Sequence, residues 1–303
     1  MTVRVAVPDL ALAEAVGAVP GVEVLVWNGS GEAPQSVDLW VPPYMSHGSV
    51  VHRAAEITGL RLVQLQSAGY EGVPEQMPPG VLLANGSGVH DDATAEHAVG
   101  LILASLRGIG EAVRHQGEET WVRMPWRRSL ADSRVLVLGY GSIGRALAER
   151  LVPMKAVVTG VATRPRPDDL LGEAHGIDSL PALLADQDVV VVLTPLTEAT
   201  HHLVDAAFLA RMKDGALLVN VARGPVVSTD AVLAEAGRVR FALDVTEPEP
   251  LPDGHPLWSA PGVLVTPHVA GGTTAMLPRM AALVRSQAER LVAGDEPLHV
   301  VAG

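Results

Sequence analysis

The sequence predicts an α/β fold in which parallel strands alternate with helices across two domains, and three observations indicate it. Short apolar runs alternate with stretches of helical period, a pattern typical of βαβ units and a parallel sheet. Aromatic residues make up only 3% of the chain, so the core consists mainly of Val, Leu and Ala, which suits strands buried on both faces. A length of 303 residues with 48% hydrophobic content is enough for about two domains.

The first third of the chain predicts a five-stranded, flavodoxin-like domain. Helical patterns lie between several of its strands, and a longer helical pattern follows over about Ala93–Arg107. The strands are predicted at Val3–Val7, Val22–Val26, Leu39–Val41, Leu60–Leu65 and Val81–Ala84.

A second series of strands follows a polar stretch that holds Trp121 and Trp126. These strands are again short, Val-rich and separated by helical patterns, which predicts a second parallel sheet. The last helix, over about Leu277–Leu291, is amphipathic and is expected to end before Gly294. The strands are predicted at Val135–Leu138, Val157–Val161, Val189–Leu193, Leu217–Val221, Phe241–Val245 and Val263–Val265.

Charge and composition exclude several classes of protein. A formal net charge of −12 argues against non-specific binding to nucleic acid or to an anionic membrane, because both require a basic surface. The absence of cysteine excludes disulfides, zinc–thiolate sites and thiol catalysis. The apolar run at the N-terminus is too short for a signal peptide, and no run reaches the roughly 18 apolar residues of a membrane span. A soluble cytoplasmic protein is the expectation.

A glycine loop lies between a predicted strand and a predicted helix. The strand Val135–Leu138 runs directly into Gly139-Tyr140-Gly141-Ser142-Ile143-Gly144, and a helical stretch follows over Arg145–Val152. In this pattern the first glycine permits a tight turn, the second admits a pyrophosphate, and the third allows close helix–strand packing. The helix N-terminus then faces the anion. The context predicts a dinucleotide-binding loop, whereas the motif alone is weak evidence.

The residues after the next strand bear on the choice between NADP and NAD. An NAD enzyme carries a carboxylate there to bind the ribose hydroxyls, but this chain has Ala162, then Thr163 and Arg164, and no carboxylate before Asp168. Arginine can form forked hydrogen bonds to a phosphate. We therefore favour NADP over NAD, with Arg166 as a second candidate for the phosphate. The alternative is that these arginines form an ordinary basic surface loop.

Four polar side chains follow the ends of later strands. In open α/β sheets, ligands bind at the carboxyl ends of the strands, so these side chains are expected to converge there. They are Arg223, Asp244, Glu249 and His268. The adjacent His201 and His202 are interpreted as the start of an ordinary helix, and no metal site is expected, because no carboxylate or third histidine stands at ligand spacing.

With these segments in place, the chain closely resembles the D-isomer-specific 2-hydroxyacid dehydrogenase family over nearly its whole length. The resemblance includes Ala95-Glu96-His97 at the start of the long helix, the glycine loop, Leu193-Thr194-Pro195-Leu196-Thr197, and the segments that hold Arg223, Glu249 and His268. It implies a Rossmann dinucleotide-binding domain, residues 98–271, inserted into a discontinuous flavodoxin-like substrate domain, residues 1–97 and 272–303.

The resemblance also implies roles for individual residues. Arg223 would bind the substrate carboxylate and carbonyl, His268 would be the general acid and base, and Glu249 would be its partner. Asp244 and Thr94 would lie near the nicotinamide. The substrate carboxylate would also meet backbone amides of a turn at Ser67, Ala68 and Gly69. The remaining cofactor-binding candidates are Gly139, Gly141, Ser142, Ile143, Gly144, Thr163, Arg164, Thr194, Pro195 and Ala222.

The implied function is hydride transfer between NAD(P)H and C2 of a small 2-keto or 2-hydroxy acid such as glyoxylate or hydroxypyruvate. The substrate identity stays open, because Tyr70-Glu71-Gly72-Val73-Pro74 is shorter and bulkier than the family's usual segment after the substrate turn. An alternative is an NAD(P)-sensing, corepressor-like binding protein on the same scaffold. Family members are usually homodimers, and Leu101–Trp126 is the candidate interface, unless its helix packs only within its own chain.

Overall fold

The computed structural model describes residues 2–303, and they divide into two compact units. One unit is formed by the described residues of Met1–His90 with Thr273–Gly303, and the other is Asp91–Gly272. The boundaries therefore fall at 90/91 and 272/273, where the sequence predicts 97/98 and 271/272. The first boundary lies earlier because the long helix is continuous from Asp91 to Arg107.

The strands are short, as the apolar runs predict, and most begin and end within two residues of the predicted limits. In chain order they are β1 Val3–Val7, β2 Val22–Val26, β3 Leu39–Trp40, β4 Leu62–Gln64, β5 Leu82–Ala84, β6 Arg134–Leu138, β7 Val157–Ala162, β8 Arg166–Asp168, β9 Gly172–Gly176, β10 Val189–Val192, β11 Leu217–Asn220, β12 Arg240–Leu243, β13 Val263–Val265 and β14 Val300–Ala302.

The helices alternate with these strands, and short 3₁₀ turns complete several of the connections. In chain order the helices are α1 Leu10–Val16, α2 His47–Val50, α3 Asp91–Arg107, α4 Ile109–Gly117, α5 Ser142–Leu151, α6 Leu180–Leu183, α7 Ala206–Leu209, α8 Thr229–Glu235 and α9 Met276–Ala293. The predicted end of the last helix is confirmed, because Gly294 caps α9 in the left-handed conformation that glycine adopts without steric cost. Among residues 2–303, no helix combines the length and the apolar character needed to cross a membrane.

The first unit contains a sheet with the order β14-β5-β4-β3-β1-β2. The strands β1 to β5 pair in parallel, in the flavodoxin-like order, and helices α1 and α9 pack against the sheet through a shared apolar core. The predicted five strands omit β14, which pairs antiparallel with β5 at the edge. Three residues at the chain terminus carry too little apolar pattern to predict a strand.

The second unit contains a sheet with the order β13-β12-β11-β10-β6-β7-β9-β8. All of its neighbouring strands are parallel except β8 and β9, which form an antiparallel hairpin at the edge. The central β10 is buried along its whole length, as a Val-rich strand between two helical layers should be. Because β6 and β10 to β13 all run in one direction, their carboxyl ends meet at one edge of the sheet. The dinucleotide and catalytic candidates of this unit follow those ends.

Candidate active site

The glycine loop Gly139–Gly144 connects β6 to α5 and allows unusually close backbone contacts. Gly139 has a positive φ of 100°, and a Cβ added there would lie 2.5 Å from the carbonyl carbon of Leu193. A Cβ at Gly144 would lie 2.7 Å from the carbonyl oxygen of Gly139. Only glycine fits either position, and each glycine has the role that the sequence pattern predicts.

The same loop has features that fit a dinucleotide phosphate. A Cβ at Gly141 would meet no atom within 4 Å, so the backbone borders open space at the point where α5 begins. No side chain caps the N-terminus of α5, which starts with Ser142 and Ile143 and therefore leaves its first amides for an anion. The buried hydroxyl of Thr194, beside Pro195, has no hydrogen-bond partner within residues 2–303. A buried polar group of this kind normally has a partner, and a bound cofactor would supply one.

The predicted phosphate-selecting residues lie directly after β7. Ala162 ends that strand, and Thr163 and Arg164 follow it with exposed side chains. Arg166 lies at the start of β8, with its guanidinium 5.8 Å from the centre of the Tyr140 ring, and it donates a hydrogen bond to the Tyr140 carbonyl oxygen. The glycine loop therefore has one arginine in contact with it and a second on the adjoining strand end.

The fold also brings a carboxylate to the glycine loop, which the sequence interpretation did not anticipate. The hairpin of β8 and β9 turns the chain back, so that the Tyr140 hydroxyl donates to Asp168 Oδ1 at 3.1 Å. The amides of Leu170 and Leu171 donate to the same oxygen, and Arg145 donates to Oδ2 at 3.1 Å. Burial, together with this hydrogen bond to Asp168, raises the pKa of Tyr140 to about 12. Asp168 is thus occupied by protein donors, and it anchors Tyr140 instead of presenting a free acceptor for ribose.

The backbone around Arg223 is held by its neighbours after β11. The side-chain amide nitrogen of Asn220 donates to the Arg223 carbonyl at 3.0 Å, and the side-chain oxygen Oδ1 of Asn220 accepts from the Ala222 amide at 3.1 Å. Gly224 packs so tightly against the Thr246 carbonyl that an added Cβ would lie 1.9 Å from the oxygen. Arg223 is half-buried in an extended conformation. These contacts position its side chain from a rigid backbone.

Asp244 connects the ends of β12 and β13. It is 2% exposed, and its Oδ1 accepts from the Thr266 hydroxyl at 2.6 Å and from the Val269 amide at 3.0 Å. Oδ2 accepts from the Ala270 amide at 3.0 Å. Burial alone would raise the pKa of Asp244, but the hydrogen bonds from His97, Thr266 and these amides outweigh it and lower the pKa. Asp244 is therefore an ionised anchor for the loop that carries His268.

His97 also contacts this anchor, Asp244. From the sequence, His97 is notable only as part of the Ala95-Glu96-His97 motif. It lies on α3, with Nε2 3.0 Å from the Thr266 hydroxyl and 3.2 Å from Asp244 Oδ1. Thr94 lies one helical turn earlier on α3 and is buried. At the start of α3, small residues alternate with polar ones over Ala93–His97. This pattern is the sequence signal that could have predicted a helix face in contact with other polar groups.

His268 and Glu249 form a direct pair. His268 Nδ1 lies 2.5 Å from Glu249 Oε1. The His268 amide donates to the carbonyls of Asp244 and Thr266, which hold the residue at a φ of +52°. A non-glycine residue persists in this left-handed region only when its surroundings enforce it, and such residues cluster at functional sites. The surroundings here are the anchor Asp244 and the end of β13.

The two side chains of the pair shift each other's titration. The hydrogen bond and charge of Glu249 raise the pKa of His268 above its ordinary value, although burial opposes the change. The hydrogen bond from His268 lowers the pKa of Glu249, and the nearby charge of Arg223 lowers it further. The pair therefore favours an imidazolium beside a carboxylate.

The interpretation of His201 and His202 is wrong in two respects. Both residues lie in a turn and not at the start of a helix. A carboxylate also approaches them from far along the chain, because His202 Nε2 lies 2.6 Å from Glu247 Oε2. The rings of His201 and His202 stack with their centres 4.0 Å apart. His201, His202 and Glu247 place potential ligand atoms within 4.8 Å of one another, so the group could hold a metal ion. The spacing of 45 residues between His202 and Glu247 hides this group from sequence inspection.

The turn at Ser67, Ala68 and Gly69 lies in the other unit and follows β4. The Ser67 hydroxyl donates to the Gly69 carbonyl, and Asn85 donates to the Ala68 carbonyl, both at 2.7 Å. The Gly86 amide donates to the Ser67 carbonyl at 2.7 Å. The carbonyl groups of this turn are therefore fixed by its own unit.

Comparison with known proteins places the chain in a family. The model of the D-isomer specific 2-hydroxyacid dehydrogenase NAD-binding domain matches residues 99–270. A glyoxylate reductase of Thermofilum pendens is 35% identical over 251 residues, which cover 78% of this chain and 74% of that protein.

Solved structures agree over nearly the full length. A D-isomer specific 2-hydroxyacid dehydrogenase from Xanthobacter autotrophicus, in complex with NADPH and MES, has a TM-score of 0.83 and 31% identity over 99% of this chain and 98% of that one. An NADPH-dependent glyoxylate/hydroxypyruvate reductase from Sinorhizobium meliloti, in complex with NADP and sulfate, has a TM-score of 0.83 and 26% identity over 99% and 98%. The chain therefore belongs to the D-isomer specific 2-hydroxyacid dehydrogenase family and is an NAD(P)-dependent oxidoreductase.

Proposed function

We propose that this protein reduces a small 2-keto acid to the 2-hydroxy acid, with His268 as general acid and base, Glu249 as its partner and Arg223 as the substrate-binding cation. The observation that carries the proposal is the His268–Glu249 pair, beside Arg223, at the edge of the sheet that also bears the glycine loop. Glyoxylate and hydroxypyruvate are the first candidate substrates, in line with the names of the Thermofilum and Sinorhizobium relatives.

The contacts suggest which atoms act. When bound, the nicotinamide cofactor supplies the hydride for C2 in reduction and accepts it in oxidation. His268 Nδ1 faces Glu249, so Nε2 is the atom that gives a proton to the carbonyl oxygen in reduction and removes it in oxidation. Arg223 offers forked donors that match a 2-keto acid and polarise its ketone.

Further residues are assigned to the cofactor and the substrate. Thr94 and Asp244 would lie near the nicotinamide, and Thr194, Pro195 and Ala222 would line the path of the dinucleotide. The amides of Ser67, Ala68 and Gly69 would bind the substrate carboxylate.

Turnover of a panel of 2-keto acids, each with NADPH and with NADH, tests the proposal. An oxidoreductase should consume cofactor with at least one small keto acid at a rate typical of enzymes, about 1–1,000 s⁻¹. Cofactor binding without turnover on any member of the panel would instead favour the corepressor-like binding protein.

Glu249→Gln should move the pH dependence of reduction to lower pH. Reduction requires the His268 imidazolium, and the pair raises the pKa of His268, so wild-type kcat/KM should fall only as pH rises through that elevated pKa. Removing the carboxylate charge lowers that pKa, so the decline should begin at lower pH. A pH profile of kcat/KM for keto-acid reduction, recorded for the wild type and for Glu249→Gln, measures the two declines. An unshifted profile in Glu249→Gln would contradict the assigned partnership.

The cofactor preference is expected to be NADPH over NADH. No carboxylate at Ala162 repels a 2′-phosphate, Asp168 is occupied by protein donors, and Arg164 is exposed beside the strand end. A charge-assisted hydrogen bond contributes about 1.5–3 kcal/mol, or roughly tenfold to a hundredfold in affinity. Arg164→Ala should therefore weaken the use of NADPH and leave that of NADH nearly unchanged.

Steady-state kinetics with both cofactors provides the measurement for Arg164→Ala. Arg211→Ala, which removes another exposed arginine of the same unit, is the matched control and should not alter the ratio of NADPH to NADH efficiency. A clear wild-type preference for NADH would refute the proposed specificity.

A homodimer through the segment after α3 is the proposed assembly. Leu101 and the apolar face of α3 pack within their own unit, so they are not available to a partner. The predicted interface Leu101–Trp126 is therefore reduced to its residues after the end of α3 at Arg107. There, Trp121 is 99% exposed and Trp126 is 104% exposed, which is costly for large apolar side chains unless a partner covers them. Light scattering should give twice the chain mass, and Trp121→Ser with Trp126→Ser should shift it toward the monomer. A monomeric wild-type protein would remove the basis for the proposal.

A further inference from the structure

A cavity lies at the edge of the sheet opposite to the proposed catalytic residues. It has a volume of about 280 Å³ and lies within the unit Asp91–Gly272. Arg240, which lines it, begins β12, whereas Asp244 follows the end of the same strand. Gly262, which also lines it, precedes β13, whereas Thr266 follows that strand. The cavity is therefore separate from the glycine loop and from His268, which lie at the carboxyl edge.

Arginine side chains dominate the polar lining of this cavity. Three arginines, Arg114, Arg127 and Arg240, and one acidic residue, Glu111, line the cavity. That carboxylate is engaged, because Arg127 donates a hydrogen bond to it. The excess of positive charge is local, since the chain as a whole has a formal net charge of −12.

Arg240 lacks a counter-charge in this environment. Its side chain is half-buried and donates to the Ser105 carbonyl at 2.8 Å, and no carboxylate pairs with it in the part of the chain that the structure describes. Burial, and then the charges of Arg128 and Arg127, lower the pKa of its guanidinium. Arg128 is itself paired with Asp188, which Lys213 also contacts, so Asp188 is already shared by two cations. A partly desolvated cation without an anion is unfavourable, and an added anion would relieve the cost.

The walls of the cavity leave room for such an anion close to the backbone of Gly110, whereas Met124 and Arg127 fill the space over Gly108. Gly108, Gly110 and Gly262 contribute no side chain to the lining.

We propose that this cavity is a binding site for a small oxyanion with at least two negative charges, of the phosphate class. Guanidinium groups recognise such anions through paired hydrogen bonds, and three of them surround one small volume. The bound anion would hold α4 and the segment with Arg127 against the starts of β12 and β13. A carboxylate from a second copy of the chain has the same chemistry, and the experiment separates the two sources.

Isothermal titration calorimetry with inorganic phosphate tests the proposal. The protein is first saturated with NADP, so that the titrated phosphate cannot bind at the glycine loop. Chloride at matched ionic strength is the reference. Phosphate should bind to the wild type with one site per chain, and Arg240→Gln should weaken it by at least about tenfold, as expected for loss of a charge-assisted contact. Arg123→Gln is the matched control, because Arg123 is exposed in the same segment but does not line the cavity.

Arg114→Gln provides the second variant, since Arg114 is exposed and its replacement should not disturb folding. It should also weaken phosphate binding, and all three variants should keep wild-type turnover in buffers without phosphate. Equal phosphate binding by wild type, Arg114→Gln and Arg240→Gln would overturn the proposal. Absence of phosphate binding, with loss of the dimer in Arg240→Gln by light scattering, would overturn it in favour of a second copy.

Discussion

His268→Ala should lose most of its keto-acid reductase activity and still bind the cofactor. A general acid and base typically contributes about a hundredfold to ten-thousandfold to the rate, so kcat should fall by about that factor. The fold around the position should survive, because the anchor Asp244 accepts hydrogen bonds from backbone amides and from Thr266 and none from the His268 imidazole. Steady-state kinetics and a fluorescence titration with NADPH give the two readouts.

His115→Ala is the matched control for this variant, because His115 lies on α4 and its Nδ1 contacts the exposed Glu118 Oε2 at 3.3 Å. It should keep wild-type turnover. If purified His268→Ala also kept wild-type turnover, His268 would not be the proton donor. If it instead lost cofactor binding together with activity, a structural role would explain the defect.

Arg223→Lys should damage substrate handling while leaving cofactor binding unchanged. Lysine keeps the positive charge but loses the planar fork that matches a carboxylate and its neighbouring carbonyl. Loss of such a charge-assisted pair costs about 1.5–3 kcal/mol, so kcat/KM on the best keto acid should fall by roughly tenfold to a hundredfold. The backbone at this position is held by Asn220 and by the packing of Gly224, so the substitution should not move the loop.

Catalytic efficiency and the pH profile, measured together, distinguish a binding role for Arg223 from a purely electrostatic one. The charge of Arg223 lowers the pKa of both His268 and Glu249, and lysine preserves that charge. Arg223→Lys should therefore keep the wild-type pH dependence while its catalytic efficiency falls. Unchanged efficiency together with an unchanged profile would contradict the substrate-binding assignment, because it would mean that the positive charge alone is sufficient.

Local patterns in the sequence predicted most of the fold. The Val-rich runs place both series of strands, and β1, β2 and β13 have the predicted limits. The hydrophobic periodicity of a strand or helix depends on residues that are close in the sequence, so it can be recognised without the tertiary structure. The antiparallel hairpin of β8 and β9 was missed because Pro165, Pro167 and Gly172 interrupt any regular alternation. The helix α4 was missed because it contributes no buried residue, so its pattern resembles a polar loop.

The sequence by itself determined three features: the positions of the strands, the glycine loop, and the polar residues that follow the strand ends. Each of these features depends on a few adjacent residues. The tertiary structure alone decided which of those residues meet. It paired Asp168 with Tyr140, Glu247 with His202 and His97 with Asp244, and it gathered three arginines around one cavity. These contacts join residues 28, 45 and 147 positions apart, from Tyr140 to Asp168, His202 to Glu247 and His97 to Asp244. The physical reason is that a charged side chain finds its partner through the packing of whole strands and helices, and no local period records that packing.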